Sequence, residues 1–201
     1  MYVGRFIAVG KTEDGTPFAL YGVCSRSFPD RTVEVKEDRA HVVPTDPETA
    51  LNPYVTYTCM RVVKGRLVVT NGAQTDPIAD RISRGEPDRD AVIQVTYSMD
   101  YEHDEYDTPR ISAAVSPNGS CWMGKVGKNE VEFRLLEPEK GQGFVLSVYG
   151  EFSRVPELPN LEPGDLDDPL SWNPVRWFDH WVCGVLAVME EGTWKLTAVQ
   201  G

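Results

Sequence analysis

Short apolar runs separated by turn-forming residues make up most of the chain, and this pattern predicts antiparallel strands joined as hairpins. The runs YVGRFIAVG and PFALYGVCSR flank KTEDGT, and the runs YVTYTCMRVV and RLVVTNG flank Lys64-Gly65. A shorter apolar run, AHVVP, lies between these two pairs. The N-terminal part of the chain therefore predicts two hairpins with one more strand between them.

A second series of strands is predicted in the C-terminal part. ISAAVS, CWMGKVG, VEFRLLE and FVLSVYGEF follow one another, and Asn118-Gly119 between the first two favours a hairpin turn. WVCGVLAVME and TWKLTAVQ form a last hairpin around Glu191-Gly192. Arg154 to Pro174 contains five prolines, which predicts a loop with at most one short helix.

Two helices are predicted between the two series of strands. Asp76 at the cap, Pro77 in the first turn and Gly85 at the C-terminal stop delimit the first helix. The second spans Asp88 to Met99, because its apolar residues recur with the helical period. Strands in two groups around a helical pair predict an α+β fold of two stacked, largely antiparallel sheets with helices outside.

Length and charge limit the functions that are compatible with the chain. Its 201 residues predict one domain, at most two, and we take residues 1–201 as one. The net charge of −11 argues against binding to DNA or RNA, although local arginines can still bind a small anion. Since there is neither a membrane-length apolar run nor a secretion signal, we expect a cytoplasmic protein without membrane contact.

The four cysteines do not form a recognisable metal or redox motif. Cys24, Cys59, Cys121 and Cys183 are scattered without a C-x-x-C pair. We expect reduced, buried cysteines that serve packing, and neither a metal nor an organic cofactor.

One short stretch, SMDYEHDEYDTPRI, concentrates acidic and aromatic residues. Asp100, Glu102, Asp104 and Glu105 lie in it beside Tyr101, His103 and Tyr106, directly after the second predicted helix. Most such acids are solvated surface groups, so the stretch alone fits either a charged turn or part of a site.

Several stretches together resemble the archaeal-type IMP cyclohydrolases in order and spacing. They are MYVGRF, SRSFPDR, NPYVTYTCMRVV, NGAQTD and MDYEHDEYDTPRI. The resemblance is strong over about the first 115 residues and weak beyond them. It implies the four-layer αββα arrangement of the Ntn hydrolases. It also implies closure of 5-formamidoimidazole-4-carboxamide ribotide (FAICAR) to inosine monophosphate (IMP), with loss of water, in purine biosynthesis.

The chain departs from the family pattern at four positions. Thr58 replaces an asparagine, Gln74 a histidine, His103 a lysine and Asp30 an asparagine. The change at His103 bears most on function, since the family lysine is expected in the active site.

The reaction requires a base at the carboxamide nitrogen and a proton donor at the formyl oxygen. The resemblance assigns Glu102 to proton transfer. Tyr57 lies on a predicted strand, where its phenol can hydrogen-bond a developing oxyanion or simply belong to the core. His103 can donate a hydrogen bond or proton, or be structural. Cys59, on the same face as Tyr57, is interpreted as packing.

A phosphate anchor is expected around SRSFPDR and NGAQTD. Arg31 matches an active-site arginine of the family, and Arg26 and Ser27 are further candidates to bind phosphate. Their alternative is a surface role, including a salt bridge from Arg31 to Asp30 or Glu34. Asn71 and Gly72 precede the first helix and fit either an anion site or a plain turn. Arg110, by contrast, is expected to pair structurally with one of the acids at 100–105.

Three other functions are weighed against an IMP cyclohydrolase acting on FAICAR or IMP. The main alternative is a non-catalytic purine-nucleotide-binding relative. An amide-cleaving Ntn hydrolase is disfavoured, because Met1 precedes Tyr2 and no N-terminal nucleophile is available. A structural or interaction module is supported only by the tryptophan-rich stretch WNPVRWFDHWV, which fits a core or the interface of a homo-oligomer.

Overall fold

A computed structural model describes residues 2–46, 56–155 and 178–200 of the chain. Within these ranges the strands are β1 (Arg5–Lys11), β2 (Pro17–Cys24), β3 (Arg31–Lys36), β4 (Arg39–Pro44), β5 (Tyr57–Val63), β6 (Arg66–Thr70), β7 (Arg110–Val115), β8 (Cys121–Gly127), β9 (Glu130–Leu136), β10 (Gly143–Ser147), β11 (Ser153–Val155), β12 (Trp181–Glu190) and β13 (Thr193–Gln200). The helices are α1 (Thr75–Ser83) and α2 (Asp88–Met99). Neither helix of these ranges is long and apolar enough to cross a bilayer.

The strands form two antiparallel sheets that share one apolar core. The six-stranded sheet has the order β11-β10-β1-β2-β12-β13, and the seven-stranded sheet runs from β3 to β9 in chain order. Ile7, Tyr21 and Val185 of the first sheet lie in one buried cluster with Tyr57 and Met123 of the second. The predicted pair of stacked antiparallel sheets is therefore confirmed.

Both helices pack on the outer face of the seven-stranded sheet. Ile78, Val92 and Val95 are buried against Val68 of β6 and Ala114 of β7. Within the described ranges the layer order is thus helix, sheet, sheet. The further helical layer of an αββα arrangement is not among these elements.

The predicted hairpins are confirmed, and their turns use left-handed backbone conformations. Strands β5 and β6 pair antiparallel around Lys64 and Gly65, whose φ angles are 47° and 76°. Gly119, with φ 83°, turns β7 into β8. Glycine is favoured at such positions because it lacks the Cβ atom that makes positive φ costly.

The helix predictions are confirmed in part. Helix α2 has the predicted bounds, and Gly85 ends α1 with φ 93° and an N–H donated to the Ile82 carbonyl. The assignment of Asp76 as the cap of α1 is wrong, because Gln74 occupies that position. Asp76 instead lies in the first turn and accepts hydrogen bonds from Thr58 Oγ1 and Arg61 Nη1, both at 2.9 Å.

Two further differences concern strands, and some predictions fall on residues outside the described ranges. Strand β3 was not predicted, and the predicted strand FVLSVYGEF ends at Ser147 as β10. The predicted loop Arg154 to Pro174 lies almost wholly outside the described residues, as do the motif residues 52–55 and Trp172 and Trp177.

Candidate active site

Glu102 is a buried carboxylate held between two arginines. Its side chain is 6% exposed, Oε2 lies 3.4 Å from Arg5 Nη2, and Oε1 lies 3.4 Å from Arg110 Nη1. Burial raises the pKa of Glu102, and the positive charges of Arg5 and Arg110 oppose that rise. Because the upward shift prevails, Glu102 is a stronger base than a solvated glutamate.

The loop from 100 to 109 turns Glu102 inward. Asp104 Oδ1 accepts the backbone N–H groups of Tyr106 at 3.1 Å and Thr108 at 2.9 Å, and the Glu102 N–H is donated to the Thr108 carbonyl at 2.7 Å. Asp104 is therefore a turn residue. The interpretation as a solvated acidic turn does not fit Glu102.

A network of amides and arginine supports the carboxylate from the side of β6 and β7. Arg110 Nη1 donates to Gln74 Oε1 at 3.0 Å, and Gln74 Nε2 donates to Asn71 Oδ1 at 2.9 Å. A Cβ atom on Gly72 would lie 2.9 Å from Arg110 Nη1 and 3.2 Å from Glu102 Oε1. A side chain at position 72 would therefore displace the end of the arginine or press on the carboxylate.

Asn71 connects two strands and is fully buried. Its Oδ1 accepts the Ile111 N–H at 2.9 Å and its Nδ2 donates to the Pro109 carbonyl at 2.9 Å. These contacts fix the end of β6 against the start of β7. They place Asn71 behind Glu102 and Arg110 as a supporting residue, without showing the predicted contact to a ligand.

Two phenols meet between the sheets beside Arg5. The hydroxyls of Tyr21 and Tyr57 lie 2.8 Å apart, and both side chains are buried. Burial raises the pKa of Tyr57, while the charges of Arg31 and Arg5 lower it. Burial alone would lower the pKa of Arg5, but Tyr57 and Glu102 shift it upward overall. Arg5 therefore links the phenols electrostatically to Glu102 and remains a fixed cation.

A narrow cleft of about 60 Å³ lies beside this cluster, and Arg5 is the member of the cluster that lines it. Arg5 and Arg31 line it. Three aromatic side chains at its rim, 47 to 60% exposed, are Phe28, Tyr106 and Tyr149. Cations beneath an aromatic rim form a suitable surface for an anionic ligand that carries a planar ring.

Of the predicted anion-binding residues, Arg31 and Ser27 reach the cleft. Arg31 is 5% exposed, and its Nε donates to the Phe28 carbonyl at 3.0 Å. Within the described ranges its Nη atoms make no hydrogen bond or ion pair, so the alternative salt bridge to Asp30 or Glu34 is wrong. Arg26 instead lies on the surface, with its guanidinium 4.4 Å from the centre of the Tyr2 ring.

His103 does not join the buried cluster. Its side chain is 66% exposed, and Nε2 lies 3.3 Å from Asp100 Oδ2. Its ring centre lies 4.3 Å from that of Tyr101. The catalytic role predicted for His103 thus has no contact to Glu102 or Arg5 among those that the structure shows.

The cysteines are free and buried, as predicted. Burial raises the pKa of Cys24 and Cys183 to about 12 each, and that of Cys59 still further. Such thiols are protonated and poorly nucleophilic at neutral pH. In the described part of the chain, no group of three or more His, Cys, Asp or Glu residues is arranged to hold a metal.

Arg5 and Tyr21 are site residues that the sequence interpretation missed. Arg5 is a charge placed directly before the apolar residues FIAVG of β1, and Tyr21 carries a hydroxyl within PFALYGVC. A polar group in a continuously apolar strand is a usable signal, because burying it without a partner is costly.

Comparison with known proteins finds relatives over nearly the whole chain. The profile of a family described as "IMP cyclohydrolase-like protein" matches residues 2–193. A protein named IMP cyclohydrolase from Methanopyrus kandleri is 56% identical over 199 residues, covering 98% of this chain and 100% of that protein. Proteins of the same name are 46% identical in Methanococcus maripaludis strain C7 (74% of this chain, 75% of that one) and 44% in Halobacterium salinarum (68% and 69%).

Proposed function

Because this chain belongs to the IMP cyclohydrolase-like protein family, we propose that it closes FAICAR to IMP with loss of water in purine biosynthesis. The observation that carries the proposal is the buried Glu102 carboxylate between Arg5 and Arg110, next to the Tyr21–Tyr57 pair. This arrangement offers a base, a proton donor and fixed cations without a metal or organic cofactor.

Ring closure moves two protons from nitrogen to oxygen. One ionised group and one protonated group, here Glu102 and Tyr57, can carry out both transfers. Glu102 takes a proton from the carboxamide nitrogen as that nitrogen attacks the formyl carbon, while Tyr57 gives its proton to the formyl oxygen. In the second step protonated Glu102 gives its proton to the departing hydroxyl. The remaining ring N–H proton returns to Tyr57, so water leaves and both groups regain their starting states.

The rim and the arginines supply binding. Arg31 lines the cleft with Nη atoms that have no hydrogen-bond partner in the described part of the chain, which suits a phosphate, and Tyr106, Phe28 or Tyr149 can stack on the heterocycle. Ser27 offers a hydroxyl beside Arg31. A cleft of about 60 Å³ is smaller than typical ligand sites of roughly 300–1,000 Å³. Binding therefore includes movement of the exposed aromatic rim.

The direct test is conversion of FAICAR to IMP by the purified protein, followed by ultraviolet absorbance. We expect turnover, and we expect Glu102→Gln and Tyr57→Phe each to lower kcat by roughly tenfold or more, as loss of one acid-base group does. Tyr97→Phe, on the exposed face of α2, is the control and should retain the wild-type rate. Absence of turnover at high enzyme concentration, with IMP binding shown by calorimetry, would select the non-catalytic nucleotide binder instead.

His103 is tested in the same assay. Its exposure and its contact with Asp100 favour a rate within about threefold of wild type for His103→Ala, since exposed charge pairs contribute little. A loss of kcat of roughly tenfold or more would instead assign to the His103 imidazole the proton-transfer role that the sequence suggested.

We also propose that a second helical layer completes the αββα arrangement of one cytoplasmic domain spanning residues 1–201. The outer face of the six-stranded sheet supports this, because Phe6, Phe18 and Leu20 are at most 1% exposed there. An apolar sheet face of this kind has to pack against another layer of the protein. An experimental structure with helices over these side chains would agree, and one with a different cover would contradict the four-layer assignment.

A further inference from the structure

Tyr21 is a fully buried phenol that hydrogen-bonds the Tyr57 hydroxyl. It lies in the middle of β2, paired with Ile7 of β1 and Val185 of β12. Its side chain has 0% exposure, whereas Tyr57 at the start of β5 has 7%. In the described part of the chain, the Tyr57 hydroxyl at 2.8 Å is the only hydrogen-bond partner of the Tyr21 hydroxyl.

Which of the two phenols donates the hydrogen bond can be decided by asking which hydroxyl proton would be left without an acceptor. If Tyr57 donated to Tyr21, the Tyr21 proton would point into the apolar core without an acceptor. A buried donor left in this way costs about 1–3 kcal/mol. If Tyr21 donates to Tyr57, the free proton belongs to the phenol that keeps 7% exposure and lies near Arg5 and Arg31, the two arginines that line the cleft. The second arrangement is therefore the stable one.

We infer that Tyr21 is a positioning residue, which donates a fixed hydrogen bond to the Tyr57 oxygen and thereby aims the Tyr57 proton at the substrate. The inference rests on the proposed function and assigns a role to a residue that need not touch the substrate. As the Tyr57 proton passes to the formyl oxygen, the Tyr21 hydroxyl stabilises the phenolate that remains. The hydrogen bond from Tyr21 also acts, with Arg31 and Arg5, to lower the pKa of Tyr57 against the effect of burial.

Tyr21→Phe removes the donor and keeps the ring. We expect kcat to fall roughly tenfold, the upper range for one hydrogen bond, with KM within about twofold. The acid must be protonated to act, so activity declines at alkaline pH as Tyr57 ionises. Loss of the Tyr21 hydrogen bond raises the pKa of Tyr57, so the alkaline limb of the kcat profile should move to higher pH. In a Tyr57→Phe background, adding Tyr21→Phe should change kcat little, because Tyr21 acts through Tyr57.

Ser112→Ala is the matched control. This substitution also removes a buried hydrogen bond between two hydroxyls, since Thr96 Oγ1 donates to Ser112 Oγ at 2.8 Å between α2 and β7. A similar loss of thermal stability is expected there, with kcat and the pH profile unchanged.

A second variant keeps the fold and shifts the profile in the other direction. Genetic incorporation of 3-fluorotyrosine at position 21 retains the hydroxyl and makes it a stronger donor, so the alkaline limb should move to lower pH. Wild-type kcat and an unmoved limb in Tyr21→Phe, or no shift with 3-fluorotyrosine, would overturn the role of Tyr21. An inactive wild-type protein would overturn the proposed function itself, which is a different result.

Discussion

At the scale of single residues, Glu102 combines burial with a charge. The desolvation of a carboxylate favours its neutral form, and the two arginines at 3.4 Å only partly compensate. A raised pKa makes the carboxylate a better base, but it also means that the ionised form weakens the fold. Function and stability therefore oppose each other at this residue.

Glu102→Gln should separate the two effects in thermal melts across pH. Folding raises the pKa of Glu102, so the native state binds this proton more tightly than the unfolded chain. The resulting stabilisation is complete below the unfolded-state pKa and is lost as pH rises through the raised native pKa. The Tm of the Gln variant minus that of wild type should thus increase from about pH 4 to about pH 8. A difference that decreases with pH would show that the arginines prevail over burial.

The same residue shows what the sequence could predict within one motif. Family resemblance selected Glu102 from the four acids, but composition alone favoured a solvated turn for all of them. Asp104 differs from Glu102 because its carboxylate accepts the N–H groups of Tyr106 and Thr108. That local turn, together with the distant Arg5, decides which acid faces inward. A one-dimensional pattern contains neither contact.

At the scale of elements, local signals predicted most of the structure. Hairpin turns and the helical stripe of α2 depend on residues close in sequence, and their predictions were confirmed. Strand β3 was missed because only Val33 and Val35 alternate with polar residues at the edge of the sheet. Asp76 was misassigned as a cap because its real partners, Thr58 and Arg61, belong to β5.

Gly85, at the C-terminal end of α1, gives a prediction that depends on backbone conformation alone. Gly85 has φ 93°, and a Cβ atom added there would meet no atom within 4 Å. Gly85→Ala should therefore reduce the free energy of unfolding by about 1–2 kcal/mol through the left-handed conformation, and not through a clash. Urea denaturation measures the loss, and kcat should stay at the wild-type value. Gly85→Asn is the control and should lose less, because asparagine tolerates this conformation better. Equal losses would point to a cause other than backbone strain.

At the scale of the whole molecule, the site exists only where the two sheets meet. Arg5 and Tyr21 come from the six-stranded sheet, Tyr57 and Arg110 from the seven-stranded sheet, and Glu102 from the loop after α2. No hairpin contains two of the groups that transfer protons in the proposed reaction. The sequence could therefore predict the layers from periodicity, whereas the meeting of these side chains depends on the packing of distant segments.

Net charge acts on the molecule as a whole and gives a prediction about salt. Thirty-one acidic and 20 basic residues give the chain a net charge of −11. Many of its ion pairs lie at the surface, such as Lys36–Glu34 and Arg89–Asp90. Exposed pairs contribute about 0–1 kcal/mol each, so net repulsion should dominate the surface. Raising NaCl from about 10 mM to about 200 mM shortens the screening length from roughly 30 Å to below 10 Å and should raise the Tm at neutral pH. Near the isoelectric point of about 4.7 the same increase should have little effect, because the repulsion is gone. A Tm that falls with salt at neutral pH would show that local pairs outweigh the repulsion.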